Sequence, residues 1–174
     1  MKQKTLCMLV LLLSTIQGAW GWGWGGSGTE EDPYLISTVE DWNTIASTLD
    51  TKGFIGHYYR MTNDISGVTT QLGSNELPFN VVFDGGGHTL SVNINGGDFS
   101  APFNRVKGAI IHHLHVTGTV NGGLHTAGLV GGCNGEPSFL TQTFIEDCRV
   151  SAAITSTASV LAFSEPYMKM AGKA

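Results

Sequence analysis

The sequence predicts an all-β solenoid, a coil of short strands, with one α-helix close to its N-terminal end. Three observations predict it. After residue 53 the chain reads as short strands separated by glycine turns. A set of apolar positions recurs at a fixed shift of about 34 residues, which is typical of solenoids. Finally, residues 39–50 alone carry the apolar spacing of an amphipathic helix.

The repeat is the strongest of these observations. Four positions of one segment recur, all at this same shift, in a second segment: Ile111, Leu114, Val116 and Val120 against Ile145, Cys148, Val150 and Ile154. Stacked coils bury a continuous core that one coil cannot cover alone. If the shift corresponds to one full coil, His113 lies against Asp147 and His112 against Glu146, about 4.8 Å away.

The strands before the repeat follow from alternation and turns. Residues 57–65 and 79–83 are strand candidates, and 89–94 alternates apolar with polar side chains. Between them, residues 84–88 read Asp-Gly-Gly-Gly-His, which predicts a tight turn because glycine reaches positive φ at little cost. Residues 127–132 are expected to form another side of the same coil.

The helix has recognisable ends. Trp42, Ile45, Ala46 and Leu49 fall on one face at helical spacing. A capping box is supplied either by Ser37 with Glu40 or by Thr38 with Asp41. Gly53 is a plausible stop.

The segment 1–21 has the order of a secretory signal peptide. A basic start is followed by an apolar run from Leu6 to Ile16 and then by small residues. Cleavage is expected after Gly21, with Gly18 as the other candidate, and an uncleaved membrane anchor is the alternative. Residues 22–28 then read as a flexible leader rich in glycine and tryptophan, and no later segment is apolar enough to cross a membrane.

The composition argues against nucleic-acid binding and leaves open whether the two remaining cysteines form a disulfide. The formal net charge is −5, only 13% of residues are charged, and no basic patch is visible, so we expect no nucleic-acid binding. Cys133 and Cys148 remain after cleavage. They either form a disulfide, as an oxidising compartment permits, or fill the core as small apolar residues.

Several elements together resemble the bacterial extracellular proteins that carry the GLUG motif. The resemblance covers about residues 28–154 and rests on segments 28–36, 63–65, 83–90, 127–131 and 145–150, with the helix around Trp42. It implies a right-handed parallel β-helix over residues 29–154, capped by the helix at its N-terminal end. It also implies a secreted or cell-surface setting. The zinc motif of the IgA-cleaving metallopeptidases that carry similar repeats, His-Glu-x-x-His, is absent from the sequence.

The sequence departs from the family pattern in two places. Residues 101–104 read Ala-Pro-Phe-Asn where the family favours Gly-Leu-Phe-Gly. A third copy of the repeat fades after Ile154, because Ala162, Ser164 and Glu165 fall where Gly128, Val130 and Gly131 stood. Residues 155–174 are therefore expected to be an irregular tail or a decayed repeat, and we expect a truncated or frameshifted copy of a longer protein.

No constellation of residues assigns a catalytic, cofactor-binding or metal-ligating role, so we expect no cofactor. His113 and His115 share a face by alternation and, with Asp147 from the next coil, could chelate a metal, but a solvated strand face with one histidine at a turn is the favoured interpretation. Glu146 and Asp147 are adjacent and point to opposite faces, so they do not make the acid pair that glycoside hydrolysis needs. An acidic loop at Glu30, Glu31 and Asp32 is a weak calcium candidate.

These observations favour an exported, non-catalytic module for adhesion, binding or spacing at a cell surface. Its expected partners are host glycans or extracellular proteins. The alternative is a fragment of a carbohydrate-active β-helix enzyme, which requires an acidic or basic cluster on one outer face. A third hypothesis is a lone β-helix segment without a function of its own. The sequence leaves the ligand and the oligomeric state undetermined.

Overall fold

The computed structural model describes residues 24–52, 57–135, 142–157 and 168–171. The predicted signal peptide, its cleavage sites, the predicted helix stop Gly53 and residues 162–165 lie outside these ranges. In chain order the elements are β1 Tyr34–Ile36, α1 Val39–Lys52, β2 Tyr58–Met61, β3 Ile65–Val68, β4 Val82–Asp84, β5 Thr89–Asn95, β6 Phe103–Val106, β7 Ile110–His112, β8 His115–Gly122, β9 Val130–Cys133, β10 Thr143–Glu146, β11 Arg149–Val150, β12 Ala153–Ser156 and β13 Met168–Ala171.

The strands form three parallel sheets that wind as a coil, which confirms the predicted β-helix. Sheet A has the order β1-β2-β4-β7-β10-β13, and sheet B the order β3-β5-β8-β11, with β12 also paired to β8. Sheet C pairs β6 with β9 and is extended by isolated bridges at Leu72 and Phe79. The right-handed sense of the coil stays a prediction.

The shift predicted from the repeat is confirmed, but only for one pair of coils. Ile111 pairs with Ile145, and in sheet B Val116 pairs with Val150. Earlier coils contain fewer residues, since Tyr59 pairs with Phe83 and Phe83 pairs with Ile111. The coil length therefore varies while the stacked strands stay in register.

The inward side chains of successive coils make ladders that fill the core. In sheet A, Tyr59, Phe83, Ile111 and Ile145 are in register and buried. In sheet B the same holds for Leu90 with Val116 and Ile94 with Val120, as alternation predicts. Phe79 and Phe103 bring sheet C into the same aromatic cluster, with ring centroids 5.1 Å apart.

Helix α1 covers the N-terminal end of this core, as predicted, and ends at Lys52, slightly beyond the predicted 39–50. Trp42 is fully buried, with its ring edge-to-face against Phe83 and Phe103. Its indole Nε1 donates to the Thr70 carbonyl at 3.2 Å. Of the two predicted capping boxes, the structure has the second, in which Thr38 Oγ1 accepts from the Asp41 amide at 3.1 Å.

The two flanking segments also contact the coil. The predicted leader is described from Trp24 onward, where Trp24 packs on the rings of Tyr34 and Tyr59. The Gly25 carbonyl accepts a hydrogen bond from the Leu35 amide at 2.9 Å. At the other end, in the predicted irregular tail, β13 pairs in parallel with β10 and adds a further strand to sheet A.

Candidate functional site

The outward face of sheet A carries two ladders of side chains that cross several coils. Leu35, Arg60, Asp84, His112 and Glu146 occupy one register position on successive strands. Two positions earlier on the same face, Tyr58, Val82, Ile110 and Phe144 make a largely apolar ladder. Because stacking alone brings these residues together, no single segment of sequence contains the face.

A cleft of about 280 Å³ lies between these ladders and the loop that precedes β1. Its lining consists of Glu30, Pro33, Tyr58, Tyr59, Arg60, Val82, Asp84, Ile110 and His112. One side is aromatic and aliphatic, and the other presents a cation, a carboxylate and an imidazole. Small-molecule sites combine an apolar lining with a few polar groups in this way, although they begin at about 300 Å³.

Asp84 is the centre of the polar side. It ends β4, is only 7% exposed, and accepts hydrogen bonds at both carboxylate oxygens. Arg60 Nε donates to Oδ2 at 2.7 Å, and the Gly86 amide donates to Oδ1 at 2.9 Å from the predicted glycine turn. Burial opposes ionisation of this carboxyl, but the Gly86, Arg60 and histidine interactions outweigh burial and lower the pKa of Asp84.

His112 and His113 converge on Asp84 although they are adjacent in sequence. Adjacent residues of a regular strand point to opposite faces. His113 lies just after β7 with φ of 52°, and this left-handed conformation turns its side chain back beside His112. The two Nδ1 atoms are 2.8 Å apart, and they lie 3.6 Å (His112) and 3.2 Å (His113) from Asp84 Oδ1.

The electrostatics keep His112 uncharged at neutral pH. Burial disfavours its imidazolium form and lowers its pKa, although the carboxylates of Asp84 and Glu146 act in the opposite direction. Asp84, His112 and His113 each offer a ligand atom, and these atoms lie within 4.8 Å of one another. In the described part of the chain, no other group of three such residues is found.

The grouping of His113, His115 and Asp147 that alternation predicted is half right. Asp147 does lie against His113, with Oδ2 3.7 Å from Nε2, as coil stacking predicted. His115, however, belongs to sheet B on the other side of the turn, where its Nε2 lies 3.0 Å from Ser151 Oγ. The left-handed conformation of His113 ends the alternation, so the two histidines do not share a face.

Sequence reasoning missed that Asp84 and His112 belong together. A usable signal was present, because two apolar residues followed by a polar one recur at 82–84, 110–112 and 144–146. Aligning these runs places Asp84, His112 and Glu146 at one position. The spacing is uneven, so a search at a single fixed shift overlooks the first run.

The structure gives the acidic loop and the two cysteines structural roles in place of a ligand-binding or reactive role. Glu30, Glu31 and Asp32 are exposed, and the Asp32 carbonyl accepts backbone hydrogen bonds from residues 27–29, which close the loop. Cys133 and Cys148 are not joined in a disulfide. Burial raises the pKa of Cys148 to about 11, so this thiol is protonated and unreactive at neutral pH.

The outward face of sheet B differs from that of sheet A. It is built mainly from hydroxyl and amide side chains, and they pair across the coils. Asn121 Nδ2 donates to Asn95 Oδ1 at 2.8 Å, and Thr119 Oγ1 donates to Asn93 Oδ1 at 3.0 Å. These polar ladders join neighbouring coils without forming a charged cluster.

Comparison with protein-family models, with curated proteins and with solved structures found no match to this chain. Within the described residues, no helix has the length and apolar character needed to span a membrane.

Proposed function

We propose that the chain is an exported, non-catalytic β-helix module that binds a ligand at the cell surface or in the extracellular medium. The export part rests on the signal-like order of residues 1–21. The resemblance to GLUG-motif proteins of bacteria supports the same setting and a role in adhesion, binding or spacing.

The observation that carries the binding function is the cleft on sheet A. A surface used only for spacing has no need of a concave site that combines Tyr58 and Ile110 with the polar groups of Arg60 and Asp84. Aromatic rings with an apolar face and charged hydrogen-bonding groups suit a glycan or an extended protein segment. Host glycans and extracellular proteins are therefore the proposed partners.

A carbohydrate-active enzyme fragment is the second candidate, because sheet A does carry the charged cluster that this hypothesis requires. The cluster fits general acid catalysis poorly. A general acid needs a raised pKa, whereas the hydrogen bonds to Asp84 lower its pKa and hold it ionised.

A binding screen with product analysis separates these candidates. The full chain is applied to immobilised glycans and extracellular matrix proteins, and the same ligands are analysed by chromatography and mass spectrometry after incubation. We expect retention of the chain on at least one ligand class with no fragments released. Release of oligosaccharides or peptides would establish catalysis, and no retention on any class would contradict a binding module.

Export is tested separately by N-terminal sequencing of the protein released from a Gram-negative host. Cleavage after Gly21 gives a chain that begins at Trp22, and cleavage after Gly18 gives one that begins at Ala19. A product that keeps Met1 and stays in the cell fraction would contradict export.

A further inference from the structure

We propose that Asp84, His112 and His113 form a binding site for a divalent transition-metal ion, with Zn²⁺ as the best match. The site goes beyond the proposed ligand binding and does not depend on it. It brings together residues from two coils, at the turn between β7 and β8.

The distances between the three donor atoms fit a zinc site. Zinc binds imidazole nitrogen and carboxylate oxygen at about 2.0–2.2 Å in a tetrahedral arrangement, so neighbouring ligand atoms lie about 3.3–3.6 Å apart. The observed separations are 2.8 Å between the two Nδ1 atoms, and 3.2 and 3.6 Å from these atoms to Asp84 Oδ1. These values bracket the tetrahedral separation, so only small adjustments are needed to bind the ion.

Hydrogen bonds alone satisfy this triangle poorly. All three atoms are acceptors unless an imidazole nitrogen carries a proton, and a proton on His113 Nδ1 faces two acceptors, His112 Nδ1 and Asp84 Oδ1. A cation at the centre accepts a lone pair from each atom and removes this competition.

Residues around the triangle hold the ligands in the form that a metal requires. Asp147 Oδ2 lies 3.7 Å from His113 Nε2, beyond hydrogen-bond distance. The carboxylate charge at this distance favours a proton on Nε2, which leaves Nδ1 free to bind the ion. Arg60 donates to Asp84 Oδ2, while Oδ1, which also accepts a hydrogen bond from the Gly86 amide, faces the two histidines.

The turn after β7 brings His113 beside His112. Asp147, one coil later, has the same left-handed backbone, so this conformation belongs to the turn of the coil. The side chain of His113 is about half exposed, so an ion can enter from solvent. With three protein ligands, the fourth position remains for water or for an oxygen of a ligand in the adjoining cleft.

Zinc titration of the full chain against a chromogenic chelator tests the site. We expect one tight equivalent per chain, weakened at least tenfold by His112→Gln and by His113→Gly. Glycine at 113 keeps the left-handed turn without strain, so the apo-protein of this variant should melt no lower than the wild type. His115→Gln, on the other side of the turn, is the matched control and should bind zinc as the wild type does.

Two further measurements identify the ligands. Asp147→Asn should weaken zinc binding about tenfold, the lower end of the range for a partner behind a ligand histidine, because the carboxylate lies beyond hydrogen-bond distance. Co²⁺ in place of Zn²⁺ should give the visible absorption of a tetrahedral nitrogen and oxygen site without a thiolate band. The proposal is overturned if the chain takes up no tight zinc, if the His112 and His113 variants bind it unchanged, or if a thiolate band shows that Cys133 or Cys148 is the ligand.

Discussion

The carboxylate of Asp41 accepts hydrogen bonds from the Ser37 amide, the Ser37 hydroxyl and the Thr38 amide at 2.9–3.0 Å. These bonds occupy amide groups at the start of α1 that have no partner within the helix. Burial opposes ionisation of Asp41, but the bonds from Ser37 and Thr38 outweigh burial and lower its pKa. The charge at this position therefore stabilises the folded chain.

Replacing Asp41 by alanine should lower the free energy of unfolding by about 1 kcal/mol at neutral pH. The pKa of Asp41 is lower in the folded than in the unfolded chain, so its contribution is complete above the unfolded value of about 3.9 and is lost as pH falls through the folded value. Urea unfolding at a series of pH values should show that the free energies of unfolding of the wild type and of Asp41→Ala converge as the pH falls. Glu40→Ala, an exposed neighbour in the same turn, should change stability little, and an equal loss there would contradict the capping role.

Gly131 shows why the Ala-Gly-Leu-Val-Gly segment needs its glycines. A Cβ atom at position 131 would collide with the backbone carbonyl of Phe99, while one at Gly97 would meet nothing within 4 Å. Gly131→Ala should therefore cost about 1–3 kcal/mol, the usual range for overpacking. Gly97→Ala is the control in thermal unfolding, and equal melting temperatures for the two variants would be evidence against the close approach.

The residues of the candidate site show where prediction from sequence stopped. Stacking at the repeat shift correctly placed His113 against Asp147, because the apolar ladder on the same strands fixes that register. Alternation wrongly placed His113 with His115, because the rule holds only while φ stays extended. A left-handed histidine carries no sequence signal of the kind that glycine supplies.

At the scale of single elements, α1 closes one end of the coil. The edge of a stacked core exposes apolar side chains unless another element covers them. Trp42 does this by packing on Phe83 of sheet A and Phe103 of sheet C. The helix was predictable because its helical period differs from the alternation of the strands that follow.

Trp42→Ala should lower the free energy of unfolding by about 3–5 kcal/mol, since it removes a fully buried indole and leaves a cavity against two aromatic rings. Chemical denaturation followed by far-ultraviolet circular dichroism measures the loss. Ser47→Ala, on the exposed side of the same helix, serves as the control and should stay close to wild type. A loss at Trp42 no larger than that of the control would mean that the helix does not cap the core.

A second repeat was also readable but was missed. The residues Asn-Gly-Gly occur at 95–97 and again at 121–123, and Asn95 pairs with Asn121 in the structure. Ser100 and Thr126 follow at equal distances, and each hydroxyl donates to the carbonyl of the second glycine, Gly97 or Gly123. A search restricted to apolar positions passes over a turn repeat that consists of polar and glycine residues.

At the scale of the whole molecule, the coil gives each face a different chemistry. Sheet B presents hydroxyl and amide ladders, whereas sheet A presents the cleft and the cluster of Asp84, His112 and His113. The repeats and glycine turns of the sequence were enough to predict that short parallel strands wind into a coil. The uneven coil lengths could not be predicted, because the turns between strands accommodate extra residues without disturbing the register.

The central claim is that sheet A stacks equivalent residues of successive coils side by side, since both proposals depend on this register. Val82 and Ile110 are outward partners on β4 and β7. In-register parallel strands place such residues about 4.8 Å apart, within the range of a disulfide. In this register His112, the next outward residue of β7, lies diagonally from Val82 at about 7–8 Å. If the strands were displaced by two residues, Val82 would instead pair with His112.

Cysteine cross-linking measures this register directly. In a chain whose Cys7, Cys133 and Cys148 are replaced by serine, Val82→Cys with Ile110→Cys should oxidise under mild conditions to an intramolecular disulfide, seen by mass spectrometry as the loss of two hydrogens. Val82→Cys with His112→Cys should stay reduced under the same conditions. A disulfide in the second pair but not in the first would contradict the stacking on which the site is built.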